Sequence, residues 1–246
     1  MAYALRTVQD NRNLYAAWAK DYETEFAHQM DYVLPQKVAE IFVEIGGVGP
    51  VLDVGAGTGL AGEALLKLGI ESIDALDLSG AMLEVASNKK IYKNLFTEDI
   101  TQPIKTINYL YQGIISSGTF THGHVGPDAI ENLLAVAQEG ACIALSVNRD
   151  HWFKNGFSIK FQELDDKIER LLLHEVSIYG NNSKADHRND LAIVVTFKKV
   201  WSVPEVSRRK MSMPGLEVIN TDYGSCQTNE NSHRIAGVAW IYALNH

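Results

Sequence analysis

Val51-Leu52-Asp53-Val54-Gly55-Ala56-Gly57-Thr58-Gly59-Leu60 is the stretch on which the fold turns. VLDV is short and apolar apart from one acid, which predicts a buried strand. Three alternate glycines predict a tight loop. Ala61, Ala64, Leu65 and Leu68 then recur at helical spacing up to Gly69, which predicts a helix. Strand, glycine loop and helix in that order put the loop at the carboxyl edge of a sheet, where ligands of doubly wound folds bind. Glycine lets the backbone turn and lets a ligand approach without a Cβ in the way. The N–H groups that open the helix add a positive end. The loop departs from the dinucleotide fingerprint G-x-G-x-x-G/A, because Leu60 holds its last position. Asp53, two residues ahead of Gly55, would repel a pyrophosphate. A carboxylate there suits a ligand that carries an ammonium group.

Outward from this block, short apolar runs alternate with helical periods. Pro35 opens a helix on which Val38, Ile41, Phe42 and Ile45 share a face, and Gly46-Gly47 end it. Ser72–Leu78 reads as a second strand, and Ser79 as the cap of a third helix carrying Met82, Val85 and Ala86. Asn94–Thr97 and Leu110–Ser116 read as a third and a fourth strand. A helix from Pro127 to Gly140 and a fifth strand, Ala141–Val147, follow. Phe161, Leu164, Ile168, Leu171 and Leu172 form one stripe of a later helix. Val176–Tyr179 and Ala192–Lys198 read as two strands with no helix between them, hence an antiparallel pair at one edge. Strands apolar on both faces and alternating with helices predict an α/β, doubly wound, Rossmann-like seven-stranded sheet. It is mostly parallel, with an antiparallel edge strand. Three regions follow: a helical lead-in (1–33), a core (34–200) and a β-rich C-terminal extension (201–246).

Three further positions suit a nucleoside. Asp77, at the end of the second strand, can accept both hydroxyls of a ribose. A helix N-terminal carboxylate is its plainer reading. Leu78 and Met82 offer an apolar wall to a purine. Asp99 is placed to accept from an exocyclic amine, or else is a solvated loop acid. On the acceptor side, His122 and His124 follow the fourth strand, where either could serve as a general base or satisfy a turn. Asn148, Arg149, His151 and Trp152 follow the fifth strand and are candidates for a substrate pocket.

VLDVGAGTGL, then DALDLSGAML, then TEDI together resemble the class I S-adenosylmethionine-dependent methyltransferases, of the small-molecule type. The resemblance implies that Asp53 and the loop Gly55, Ala56, Gly57, Thr58 and Gly59 hold the methionine end. It gives Asp77 the ribose and Asp99 with Ile100 the adenine, and it adds Ser117 to the cofactor set. Tyr15-Ala16-Ala17-Trp18-Ala19-Lys20-Asp21-Tyr22 is similar to a Y-x-x-W-A-x-x-Y lid, in which Tyr15 and Tyr22 close over the cofactor. IISSGTFTHGHVGPDAIENLL and GACIALSVNRDHW look most like the Williams–Beuren-region methyltransferase-like subgroup. The implied activity is methyl transfer from S-adenosyl-L-methionine to a small molecule by in-line displacement, leaving S-adenosyl-L-homocysteine. The alternatives are a non-catalytic S-adenosylmethionine-binding regulator or partner subunit, and an enzyme that turns the same cofactor to other chemistry. Two departures stand out: Gln112 where an acid is common, and the extension 201–246, which has no counterpart in the minimal fold.

Composition narrows the field. At 246 residues and net charge -8, with 22 basic against 30 acidic residues, the acid balance argues against a nucleic-acid partner, which wants a basic face. SSGTF follows the fourth strand in place of the N/D-P-P-Y motif of enzymes that methylate adenine or amides. No stretch reaches the ~18 apolar residues of a membrane span, and no charged start leads into an apolar signal, so the expected location is the cytoplasm. Cys142 and Cys226 make no disulfide framework, and His122 and His124 find no third ligand at metal spacing, so no metal is expected. Tyr223, Trp240 and Tyr242 in the extension suit a pocket wall or contact with a second copy, so a homodimer is one expected arrangement.

Overall fold

The computed structural model describes residue 19 and residues 22–28, 30–121, 125–183 and 188–200. Seven strands form one sheet in the order β3-β2-β1-β4-β5-β7-β6. They are β1 (Val51–Val54), β2 (Ile73–Asp77), β3 (Leu95–Thr97), β4 (Tyr111–Phe120), β5 (Ala137–Asn148), β6 (Ile168–Ser177) and β7 (Leu191–Lys199). The first five pair in parallel. β7 inserts between β5 and β6 and is antiparallel to both, so the expected antiparallel pair lies at that edge.

The alternation of side chains along each strand sorts the core into two layers. Val51, Ile73, Ile115 and Ala144 face α1 (Leu34–Glu44) and α2 (Leu60–Lys67). Leu52, Leu76, Ile114 and Leu145 face the opposite layer, built on α4 (Ala129–Ala135), α5 (Arg149–Lys154) and α6 (Phe157–Glu163). α3 (Gly80–Asn88) packs Met82, Leu83 and Ala86, and its N-cap Ser79 accepts from the N–H of Met82 at 3.4 Å, as its place in the sequence predicts. Val33 and Leu34 N–H donate to the Ile178 carbonyl, and Tyr32 bridges to Tyr179, so the lead-in is tied down beside β6.

The predicted helical stripe from Phe161 to Leu172 does not hold. α6 ends at Glu163, and Ile168, Leu171 and Leu172 belong to β6. A helix would bury Leu172 with Ile168, yet Leu172 is 53% exposed. A register shift between Glu169 and Leu172, with Arg170 at φ 56°, breaks the two-residue alternation and so mimics a helical period. β5 also starts earlier than predicted. Gly140, read as a helix stop, lies within that strand at φ 79°. The extension 201–246, with Tyr223, Trp240 and Tyr242, lies outside the described residues.

Candidate functional site

A cleft opens at the carboxyl ends of β1, β2 and β4, enclosing about 1080 Å³ of empty space with its mouth included. The glycine loop forms its floor. Gly55, Gly57 and Gly59 stand at φ 66°, 55° and 96°, where L side chains are rare. A Cβ on Gly55 would also meet Thr119 Oγ1 at 1.9 Å. Gly55 and Ala56 donate to the Leu76 carbonyl at 2.7 and 3.1 Å. α2 then starts at Leu60 with no side-chain cap, which leaves its first N–H groups to the cleft.

Asp77 ties this loop to the next helix. Its Oδ2 accepts from Gly57 N–H and its Oδ1 from Ser79 N–H, both at 2.8 Å. Burial pushes its carboxyl up, against the pull of the Ser79, Gly57 and Leu78 N–H groups. Each oxygen keeps a lone pair for a ligand hydroxyl. Asp53 stands on the α2 face of β1, 1% exposed. Tyr92 donates its hydroxyl to Asp53 Oδ2 at 2.6 Å, while Oδ1 is buried without a partner. Burial pushes this carboxyl up to about 7, and Tyr92 and the Gly62 N–H oppose the rise while the charge of Asp77 adds to it.

Thr58 Oγ1 and Ser117 Oγ are the other buried cleft atoms with no partner. A buried polar atom left unpaired costs about 1–3 kcal/mol, so three along one cleft describe a site built for a ligand. The set fits a ligand with an ammonium and neighbouring hydroxyls: a carboxylate at Asp53, hydroxyls at Thr58 and Ser117, and a second acid at Asp77.

Most of the predicted cofactor residues meet here. Tyr22, Asp53, Gly55, Ala56, Gly57, Thr58, Asp77, Leu78, Met82, Asp99, Ile100 and Ser117 all line the cleft. Gly59 instead caps α2, and Tyr15 lies outside the described residues, as do His122 and His124. Asp99 lies at the wall of the cleft, and its Oδ1 accepts from Thr101 N–H and Oγ1 at 2.9 and 2.7 Å.

Among the described residues, the four at the end of β5 and in α5 stand away from this cleft. Asn148 Oδ1 caps α5 by accepting from His151 N–H at 3.2 Å. Arg149 pairs with Glu175 at 3.3 Å on the surface. His151 Nε2 meets the Val125 carbonyl at 2.9 Å, and its Nδ1 meets Asn155 Nδ2 at 2.8 Å. Trp152 is 2% exposed and stacks on Phe157 and Phe161. None of the four lines the cleft.

Tyr32, Gly118, Thr119 and Val125 line the cleft without having been singled out. Tyr32 could not be, because it arrives by the bridge to Tyr179, far away in the chain. Among the described residues no group of acids, histidines or cysteines could hold a metal ion, and no helix is long and apolar enough to cross a membrane.

Residues 51–140 match the family described as a methyltransferase domain. Human methyltransferase-like protein 27 is 24% identical over 176 residues, 69% of each chain. In structure the chain is similar to the N-methyltransferase NodS from Bradyrhizobium japonicum WM9 in complex with S-adenosyl-L-homocysteine. The TM-score is 0.55 at 13% identity, over 78% of this chain and 98% of that one. It is also similar to magnesium protoporphyrin IX methyltransferase from Synechocystis PCC 6803 with bound S-adenosylmethionine, at TM-score 0.53 and 18% identity, over 79% and 98%. These likenesses show the fold.

Proposed function

We propose that this chain, whose residues 51–140 match a methyltransferase domain, is a class I S-adenosylmethionine-dependent enzyme that moves the methyl group of S-adenosylmethionine to a small-molecule acceptor by in-line displacement. The observation that carries this reading is the row of unpaired buried atoms, Asp53 Oδ1, Thr58 Oγ1 and Ser117 Oγ, along one cleft at the carboxyl edge. Asp53 accepts the cofactor's ammonium, and Thr58 and Ser117 offer hydroxyls beside it. Asp77 accepts the ribose hydroxyls, and its bonds to Gly57 and Ser79 hold it rigid for that task. Leu78, Met82 and Ile100 enclose the purine, with Asp99 at its rim.

The bound sulfonium supplies an already electrophilic methyl carbon, so the protein's part is alignment and exclusion of water. Tyr22, Tyr32 and Val125 wall the cleft and narrow the approach of the acceptor. A thiolate acceptor needs no base; an alcohol or a protonated amine does. The test has two stages. Calorimetry first measures binding of S-adenosylhomocysteine, where affinity in the micromolar range is expected and none would overturn the reading. Labelled methyl donor then screens small thiols, amines, phenols and carboxylates for turnover.

A further inference from the structure

Tyr92 belongs to no motif, yet it is the partner of the acid at the floor of the cleft. Tyr92 lies between α3 and β3, its side chain packs against Ala56, Ala75 and Leu83, and its hydroxyl donates to Asp53 Oδ2 at 2.6 Å.

The approach is close because α2 has a notch there. A Cβ on Gly62 would stand 2.3 Å from the Tyr92 hydroxyl, and one on Gly59 would stand 3.0 Å from its ring. The glycine at 62 therefore serves the tyrosine, and the tyrosine serves the acid. Tyr92 remains a donor at any ordinary pH, since burial first and the charge of Asp53 second push its hydroxyl well above the usual tyrosine range.

We propose that Tyr92 is a positioning residue for the methionine end of the cofactor: its hydroxyl occupies Oδ2 of Asp53 and turns Oδ1 to the cleft, where it meets the cofactor's ammonium. This rests on the reading of Asp53 given above. The groups facing Asp53 are Tyr92, Asp77 across from β2 and the Gly62 N–H of α2; Glu63 acts on Tyr92 from the same helix and is paired with Lys89. Tyr92 and Gly62 favour the charged carboxylate, whereas burial and Asp77 disfavour it.

The test compares two probes by calorimetry between pH 6 and pH 8.5. S-adenosylhomocysteine carries the ammonium, and 5′-methylthioadenosine lacks it. Tyr92→Phe is expected to weaken S-adenosylhomocysteine about tenfold at pH 7 and less at pH 8.5, leaving 5′-methylthioadenosine within twofold. The pH midpoint of S-adenosylhomocysteine binding should move upward. In an Asp53→Asn background the same substitution should change nothing further. Equal losses for the two probes, or an unmoved midpoint, would overturn the inference. If Asp53→Asn itself binds S-adenosylhomocysteine like the wild type, the reading of Asp53 fails; if only Tyr92→Phe does, the inference about Tyr92 fails alone.

Discussion

Two buried acids sit on neighbouring strands, one register position apart and on opposite faces of the sheet. Asp74, near the amino end of β2, is saturated: Tyr109 and Tyr111 donate to Oδ2, and Asn94 gives its N–H and its Nδ2 to Oδ1 at 2.9 and 3.0 Å. Asp53, near the carboxyl end of β1, has Tyr92 on one oxygen and nothing on the other. Both have tyrosine partners and both are buried, so neither burial nor residue type separates them. What separates them is the unspent acceptor. A fully satisfied acid holds strands together, while one left half-satisfied at the ligand edge costs stability until something binds.

The largest effect should come from the saturated acid. Asp74→Ala leaves the Tyr111 hydroxyl and the Asn94 N–H without their acceptor in a buried place, and should destabilise the fold by about 3 kcal/mol. Urea unfolding measures it. Affinity of the folded protein for S-adenosylhomocysteine should stay within twofold; a parallel fall in affinity would erase the contrast between the two acids.

Asp53→Asn should do the reverse, weakening S-adenosylhomocysteine by about 2 kcal/mol through the lost charge-assisted bond. The same substitution should stabilise the ligand-free protein above pH 7. The carboxyl titrates near 3.8 when free and is pushed up to about 7 in the fold, chiefly by burial. Between those values the folded state holds a proton that the unfolded state has released. Stability contributed by Asp53 therefore falls as pH rises from about 4 to about 7, and the cost is complete above that. Thermal melts of wild type and variant should coincide most nearly near pH 4 and part as pH rises. Binding shows the matching signature: below pH 7 a proton must leave Asp53 as the ammonium arrives, so affinity declines with acidity.

Asp77 lies between the two cases, with both oxygens on backbone N–H groups and lone pairs to spare. Asp77→Ala should weaken S-adenosylhomocysteine by roughly 1–2 kcal/mol. Because the ribose is common to both probes, 5′-methylthioadenosine should lose as much. A loss confined to S-adenosylhomocysteine would move Asp77 from the ribose to the methionine end.

The floor of the cleft was legible because it is local. Strand, loop and helix follow one another from Val51 to Lys67, and the glycines and Asp53 lie within a few residues of each other. Asp77 and Ser79 were legible for the same reason. Tyr92 and Tyr32 were not, since their positions come from packing between distant segments and leave no periodic trace. The part of Asn148 was not legible either: its Oδ1 caps the six-residue helix α5 by accepting from His151 N–H, a local need that the residue type alone does not announce. β6 misled because its bulge shifted the phase of an alternating strand toward that of a helix.

The smallest effect concerns how the lead-in meets the cleft. Lys89, just after α3, pairs with Glu23 at 2.5 Å and with Glu63 of α2 at 2.8 Å. Glu23 stands in the π-helical turn Tyr22–His28, next to the tyrosine that lines the cleft. The ammonium therefore joins the lead-in to the two helices that flank the glycine loop. Its side chain is 15% exposed but its partners are 28% and 38% exposed, so solvent screens the pairs. Lys89→Ala should then weaken S-adenosylhomocysteine by under about 1 kcal/mol. The difference from wild type should shrink when ionic strength rises from about 0.05 M to about 0.5 M, as the Debye length contracts. Titrations at the two salt concentrations decide it: a loss that persists at high salt would mean that Lys89 holds the lead-in by packing of its stem and not by charge.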